Sequence, residues 1–396
     1  MTHTKLIITG DLFPMPCNYG AFSSGDIQTL FGKKLCELFA EADFRICNFE
    51  GCFTDNDTPI EKAGPNIKAP ISTLTAIKKL GIDYATLGNT HSMDYGTQGF
   101  SDTCRALDEN GIGWFGWGKN AASVRNSVTF THQSRKITLY NTTEQFENKP
   151  TPDRAGVNLY DEYRVCEEVK ALKQNCDMLI VLYHGGIENS HYHSDIMRTR
   201  FHRMADSGAD VVISQHTHAV GSQEYYKNAY LLYGQGNFCF HFRKDVTPLL
   251  AEGLVLELDI TDNGFTASPH RILRTELGCA YDEKQELSAF YERSRMNEML
   301  ISGDKAASCA FNKAYDSDIQ QWARLFFYAF RGKNPADDEC KKTLDENEYV
   351  HYLKRSYTKQ QILVMQMFLR NEEFHEIGSR LIENLLKEYE TEDLSK

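Results

Sequence analysis

Two histidines one residue apart, His216 and His218, stand in the stretch SQHTHAVG directly after the apolar run ADVVI. A buried strand has no packing use for two imidazoles, whereas a transition-metal ion does. The same placement recurs along the chain. Asp11 follows LIITG, Glu50 follows FRICNF, His91 follows DYATLGNT, His184 follows MLIVLY, and Asn237 follows YLLYGQG. Each run thus ends in a group able to bind a metal or handle a proton. Two carboxylates with three or four imidazoles suit one or two first-row divalent ions such as Mn, Fe or Zn, and the histidines count against Ca²⁺ and Mg²⁺, which prefer oxygen ligands. Glu50 is placed to bridge two ions, and His216 and His218 can serve one ion each. Two ions about 3.5–4 Å apart can clamp the attacking and leaving oxygens of a displacement.

These residues are far apart in sequence, so the fold must gather them. KLIIT, FRIC, DYATL, KITLY, MLIVLY, DVVIS, YLLY and LVLELDI read as strands, many without polar alternation and hence buried on both faces. Helical spacing of apolar residues fills the gaps at 27–42, 73–80, 99–110, 161–174 and 195–207. Strands alternating with helices predict an α/β sheet, and in such sheets ligands bind at the carboxyl ends of the strands. From about Glu283 the texture becomes helical and charge-rich. We therefore expect a domain at 1–280 and a helical C-terminal region at 281–396, read as a packing or dimerisation appendage that makes a homo-oligomer through its helices.

Composition narrows the function classes. The chain has 396 residues, 41% of them hydrophobic, enough for a sizeable core. A formal net charge of −12 without a basic run disfavours nucleic acid. A bound metal can still reverse the local field and admit an anionic substrate. No apolar run approaches membrane-spanning length, and the start, MTHTKLIITGD, reads as a strand rather than a signal peptide. Eleven cysteines, an odd number without a Cys-x-x-Cys pair, read as buried thiols in a reducing compartment, hence a cytoplasmic protein.

The set GD (Gly10-Asp11), NFEG (Asn48 to Gly51), GNTHSMDYG (Gly88 to Gly96), LYHGGIE (Leu182 to Glu188), QHTHAVGSQEYY (Gln215 to Tyr226) and YGQGNF (Tyr233 to Phe238) resembles the CapA family over roughly residues 5–260. Members of that family are associated with capsule and poly-γ-glutamate synthesis. The family in turn looks like a branch of the calcineurin-like metallophosphoesterase superfamily, whose fold is a four-layer αββα sandwich around a two-metal site. The resemblance implies that Asp11 and His218 bind one ion, His184 and His216 the other, and Glu50 both. It gives His91 the place of the histidine that protonates the leaving group, with Asp94 tuning it. Two departures stand out. Phosphoesterases carry a histidine two residues after the first aspartate, where this chain has Phe13. CapA relatives commonly carry Asn-Asn-His where this chain has Asn89-Thr90-His91, so either Asn89 replaces the asparagine ligand or the site lacks one.

Blander readings compete residue by residue. Any one histidine can be a satisfied core histidine, Asp11 and Glu50 can be turn residues, and Asn237 can be a turn residue between glycines. Glu188 and the HYH element at His191–His193 can line a substrate pocket, although a solvated loop is the simpler reading. Trp114 and Trp117 fit packing better than ligand stacking. The joint pattern leads to a metal-dependent hydrolase of phosphoesterase type, in which a metal-activated water attacks and His91 acts as general acid, on an anionic small-molecule or polymer substrate, a phosphoester or polyglutamate. The alternatives are a non-catalytic polymer-synthesis accessory or binding protein, and a γ-glutamyl amide hydrolase or transpeptidase. Capsule-associated relatives often carry an N-terminal membrane anchor, which this sequence does not show.

Overall fold

The computed structural model describes residues 3–144, 149–242, 247–322 and 357–393. It contains one compact unit, Met1–Ile60 with Asn66–Tyr315, and a second, Glu61–Pro65 with Asp316–Lys396. In chain order the strands that build the first unit are β1 (His3–Phe13), β2 (Phe44–Phe49), β3 (Tyr84–Thr86) and β4 (Gly113–Phe115). These are followed by β5 (Ser127–His132), β6 (Arg135–Thr143), β7 (Met178–His184), β8 (Val211–Gln215), β9 (Gln223–Tyr226) and β10 (Ala229–Leu232). The series closes with β11 (Asn237–Phe240), β12 (Glu252–Thr261), β13 (Gly264–Arg274) and β14 (Cys279–Tyr281). One sheet runs β14-β13-β12-β1-β2-β3-β4, with β11 beside the carboxyl end of β1; the other runs β9-β10-β8-β7-β6-β5. The central strands β1 to β4 are mutually parallel, as are β6, β7, β8 and β10.

The helices are α1 (Tyr19–Ser24), α2 (Ile27–Ala40), α3 (Leu74–Leu80), α4 (Gly96–Asn110), α5 (Glu162–Lys173) and α6 (Asp195–Asp206). α2 to α6 form where the apolar spacing predicts, whereas the short α1 is not among the expected helices. Their starts are set chemically: Asp161 and Ser194 accept the backbone N–H groups of Arg164 and Met197 as N-caps, each such cap contributing about 1 kcal/mol.

Three buried clusters show the layering. Leu6, Ile8 and Ile46 of one sheet interdigitate with Ile180, Leu182 and Ile213 of the other. Ile7 and Cys47, on the opposite face of the first sheet, pack under Leu35 of α2, Ile77 of α3 and Leu107 of α4. Leu179, Val181 and Val212, on the opposite face of the second, pack under Val165 of α5 and Phe201 of α6. Odd and even residues of each strand therefore enter different layers, which explains the missing polar alternation. The result is the four-layer αββα sandwich.

After β14 come α7 (Ser288–Ile301) and α8 (Lys305–Ile319), then α9 (Lys359–Arg370) and α10 (Glu372–Asp393), so the C-terminal region is helical as expected. The sequence pattern DSDIQQWARLFFYAF lies outside the described residues beyond Trp322. Within the second unit, Phe368 and Phe374 pack ring to ring at 5.3 Å and Arg380 pairs with Asp316 at 2.7 Å. Among the described residues no helix is long and apolar enough to cross a membrane.

Candidate metal centre

The site forms where the carboxyl ends of the two sheets meet. β1 carries Asp11 past a register irregularity between Ile8 and Asp11. Such an irregularity re-aims a side chain, and here Gln235 and Gln215 capture the carbonyls of Ile8 and Thr9, at 2.6 and 2.7 Å. Gly10 is required at this point, because a Cβ there would lie 1.9 Å from the Gly236 carbonyl oxygen. Glu50 immediately follows β2, His184 ends β7, and His216 and His218 follow β8. Both of the last two adopt positive φ, 92° and 55°, a region that costs non-glycine residues of order 1–3 kcal/mol and persists only where the surroundings enforce it.

Asp11, Glu50, His184, His216 and His218 are all buried. The donor atoms of Glu50, His184 and His216 lie within 4.8 Å of one another, as do those of Asp11, Glu50 and His218, and either triad is close enough to hold a metal ion. His184 Nε2 is 3.5 Å and His216 Nδ1 4.0 Å from Glu50 Oε1. His218 Nδ1 is 3.2 Å from Asp11 Oδ2 and 3.0 Å from Asn237 Oδ1. Glu188, a quarter exposed, stands at the rim with Oε1 3.7 Å from His216 Nε2.

The electrostatics of the cluster are uneven. Burial works to raise the Glu50 carboxyl, but the imidazoles of His184 and His218 outweigh it and hold the group well below the usual carboxylate range. Burial pushes the His184 imidazole down despite Glu50. Burial also works against a cation at His218, yet Glu50 and Asp11 carry it up to about 9.

His91 is bound through Nδ1 to Asp94 Oδ2 at 2.6 Å, and Asp94 also accepts the Ile67 N–H at 2.7 Å. Both sit on the turn after β3. Asn141 pins that turn, accepting the Gly88 N–H at 2.8 Å and donating to the Leu182 carbonyl at 2.9 Å. Asn89 and Thr90 divide their tasks. The Asn89 amide donates to Asn48 Oδ1 and the Phe49 carbonyl, at 3.1 and 2.7 Å, and accepts from the His91 N–H and the Ser92 hydroxyl. The Thr90 hydroxyl faces the cluster, 3.2 Å from Glu50 Oε1 and 3.5 Å from His184 Nε2. Phe13 joins the apolar cluster under the helices, its ring 4.8 Å from that of Phe53.

Sequence reasoning missed Asn48. Its amide donates to Asp11 at 2.8 Å and lies 3.3 Å from His184 Nδ1, so one side chain spaces residues of both triads. The signal was available in NFEG, two residues before Glu50 on β2. The HYH element corrects another expectation. It is not a solvated loop: His193 is buried against Tyr233, 4.1 Å between ring centres, and His191 Nδ1 donates to the Val220 carbonyl at 2.8 Å. Trp117 stacks on Phe100 at 4.0 Å in the core, as packing predicts.

Residues 5–242 match the family model for the bacterial capsule synthesis protein PGA_cap. The chain belongs to this family. The capsule biosynthesis protein CapA of Bacillus anthracis is 29% identical over 210 residues, 50% of this chain and 51% of that protein. The PGA biosynthesis protein CapA of Bacillus subtilis is 24% identical over 211 residues, 51% of this chain and 54% of that protein. The chain thus spans about half the length of the curated relatives it matches. Among solved structures, a novel phosphatase from Mycoplasma pneumoniae aligns at a TM-score of 0.44 and 15% identity, over 74% of this chain and 99% of that one. The family match ends at residue 242, so β12 to β14 and all helices from α7 onward lie beyond it.

Proposed function

We propose that the chain is a metal-dependent hydrolase in capsule or polyglutamate synthesis, cleaving a phosphoester of an anionic substrate. The observation that carries this reading is the pair of buried triads sharing Glu50. The residues fit a divalent transition metal. Glu50 Oε2 is buried without a hydrogen-bond partner, and a carboxylate oxygen in that state is costly unless a cation compensates it. The donor set of imidazole nitrogens and carboxylate oxygens suits Mn, Fe or Zn.

On this reading Asp11 and His218 hold one ion, His184 and His216 the other, and Glu50 both. Bound there, the ions lower the pKa of water and draw charge from the electrophilic oxygen. Thr90 supplies the side-chain oxygen that faces Glu50 and His184, while Asn89 holds Asn48 and the backbone of the turn. Asp94 engages His91 Nδ1, leaving Nε2 as the nitrogen turned to the substrate; as general acid His91 would act from its imidazolium form, giving the Nε2 proton to the leaving group while Nδ1–H stays on Asp94. Glu188 at the rim and Asn237 beside His218 border the space that receives the substrate.

Elemental analysis of the purified wild type and of His216→Ala tests the reading first. One to two equivalents of metal, reduced in the variant, support it; no metal after reconstitution with Mn²⁺, Fe²⁺ or Zn²⁺ defeats it. Phosphate release from a phosphoester panel then separates this reaction from γ-glutamyl cleavage, which liberates an amine.

One observation favours a second, non-catalytic reading. Phe13 occupies the core where phosphoesterases place a histidine, leaving the Asp11 triad with fewer donors. A protein that binds poly-γ-glutamate without shortening it, in a titration followed by chain-length analysis, fits that reading and excludes the first for this polymer.

A further inference from the structure

The metal loop is held from outside the family match. α7 packs against it, and Arg293 donates from Nε to the Gly221 carbonyl at 3.0 Å and from Nη2 to the Val220 carbonyl at 2.9 Å. The Val220 carbonyl also receives His191 Nδ1. One turn on, Asn297, fully buried, meets His193 Nε2 at 3.1 Å and Glu224 at 3.4 Å. Phe311 of α8 packs on Tyr192 and His193, with ring centres 5.2 and 5.1 Å apart. α7 and α8 therefore grip the two segments that follow the histidines of the second triad, 185–194 after His184 and 217–222 after His216.

The grip has a physical reason. His216 and His218 sit at positive φ, and strained residues relax unless their flanks are fixed. Inside the loop, Thr217 Oγ1 donates to the Ala219 carbonyl at 2.9 Å, and the Thr217 carbonyl accepts from Asn189 at 2.7 Å. The next two carbonyls along, Val220 and Gly221, face α7, where one guanidinium covers both. A planar two-pronged donor fixes two oxygens at once, which a single-point ammonium does not.

We propose that Arg293 is a positioning residue of the metal centre: by clamping the Val220 and Gly221 carbonyls it holds the His216–His218 turn in its ligating conformation. α7 is then a working part of the centre rather than an appendage. The proposal rests on the metal-centre reading above.

The test is titration of Mn²⁺ alone into metal-free full-length protein, for wild type, Arg293→Ala and Arg293→Lys, with visible Co²⁺ d–d spectra recorded at saturation. The alanine variant is expected to bind Mn²⁺ roughly 10–100-fold more weakly, the range seen when groups that orient metal ligands are removed, and lysine to recover part of the loss. The Co²⁺ bands of the alanine variant should shift at saturation, which loss of global stability alone does not produce. A folded Arg293→Ala protein with wild-type affinity and unshifted bands overturns the proposal and leaves the metal centre standing. A wild type that takes up no Mn²⁺ overturns both. If the alanine variant does not fold, Arg293→Lys decides by the same two readouts.

Discussion

Asp11 and His218 on one side of Glu50, and His184 and His216 on the other, present the same count of side chains in very different electrostatic states. The first pair sets an imidazole against two carboxylates, and the proton it retains, with a pKa up to about 9, acts as a stand-in cation. The second pair sets two imidazoles, 4.8 Å between ring centres, around one carboxylate, and burial keeps His184 neutral. The comparison teaches that a metal entering beside Asp11 would have to displace the His218 proton, whereas burial already disfavours a proton on His184 in the other pocket.

The largest effect should come from the residue both pockets share. Glu50→Gln keeps the shape and removes the charge, and metal content by elemental analysis should fall to near zero at both sites, with affinity reduced by more than about a hundredfold. Retention of one full equivalent would break the symmetry argued for Glu50. Next, on the proposed mechanism, in which His91 gives a proton and binds no ion, His91→Asn should lower the hydrolytic rate by roughly 10²–10⁴-fold with metal content unchanged. Third, His218→Ala and His216→Ala should each remove about one equivalent, and competition between them in mixed-metal titrations should show that they empty different pockets.

Fourth, the pH dependence of the two pockets should differ. Below about 9 the His218 proton competes with metal, so affinity at the Asp11 pocket should weaken by up to about tenfold for each unit of fall in pH, as measured by calorimetry in several buffers. The His184 pocket should be flatter over the same range, and equal slopes would erase the contrast. The smallest change is Thr90→Asn, which aims an amide oxygen at the cluster and should tighten the His184 pocket only a few-fold, read as a shifted Mn²⁺ isotherm.

Much of this geometry is legible before folding because the strands are parallel. A polar residue after an apolar run marks a carboxyl end, and the topology collects those ends; Asp11, Glu50, His184, His216 and His218 need nothing more. What escapes is the scaffolding. Asn48 looks like an ordinary strand residue until its amide is seen between Asp11 and His184. Asn141 stands near the carboxyl end of β6 after the run ITLY, and its role depends on a turn that arrives from 53 residues earlier. The HYH element is polar in sequence and buried in space, because its partners, Asn297 and Phe311, come from helices about a hundred residues downstream. β13 escapes as well: it is paired on both sides only at Ile272 and Leu273, so it tolerates Pro269, a residue that argues against a strand.

The contact between Phe13 and Gly51 carries a consequence for how such a site drifts over generations. A Cβ at position 51 would lie 2.6 Å from the Phe13 ring, so no larger residue enters at 51 while the phenylalanine stays. Replacing Phe13 alone by alanine would open a void costing about 3–5 kcal/mol, and a histidine there would meet Phe53 and the apolar layer instead of an ion. Each position thus holds the other in place. A histidine at position 13 is therefore not a neutral single substitution in this fold, and the donor set beside Asp11 is fixed by packing as much as by chemistry.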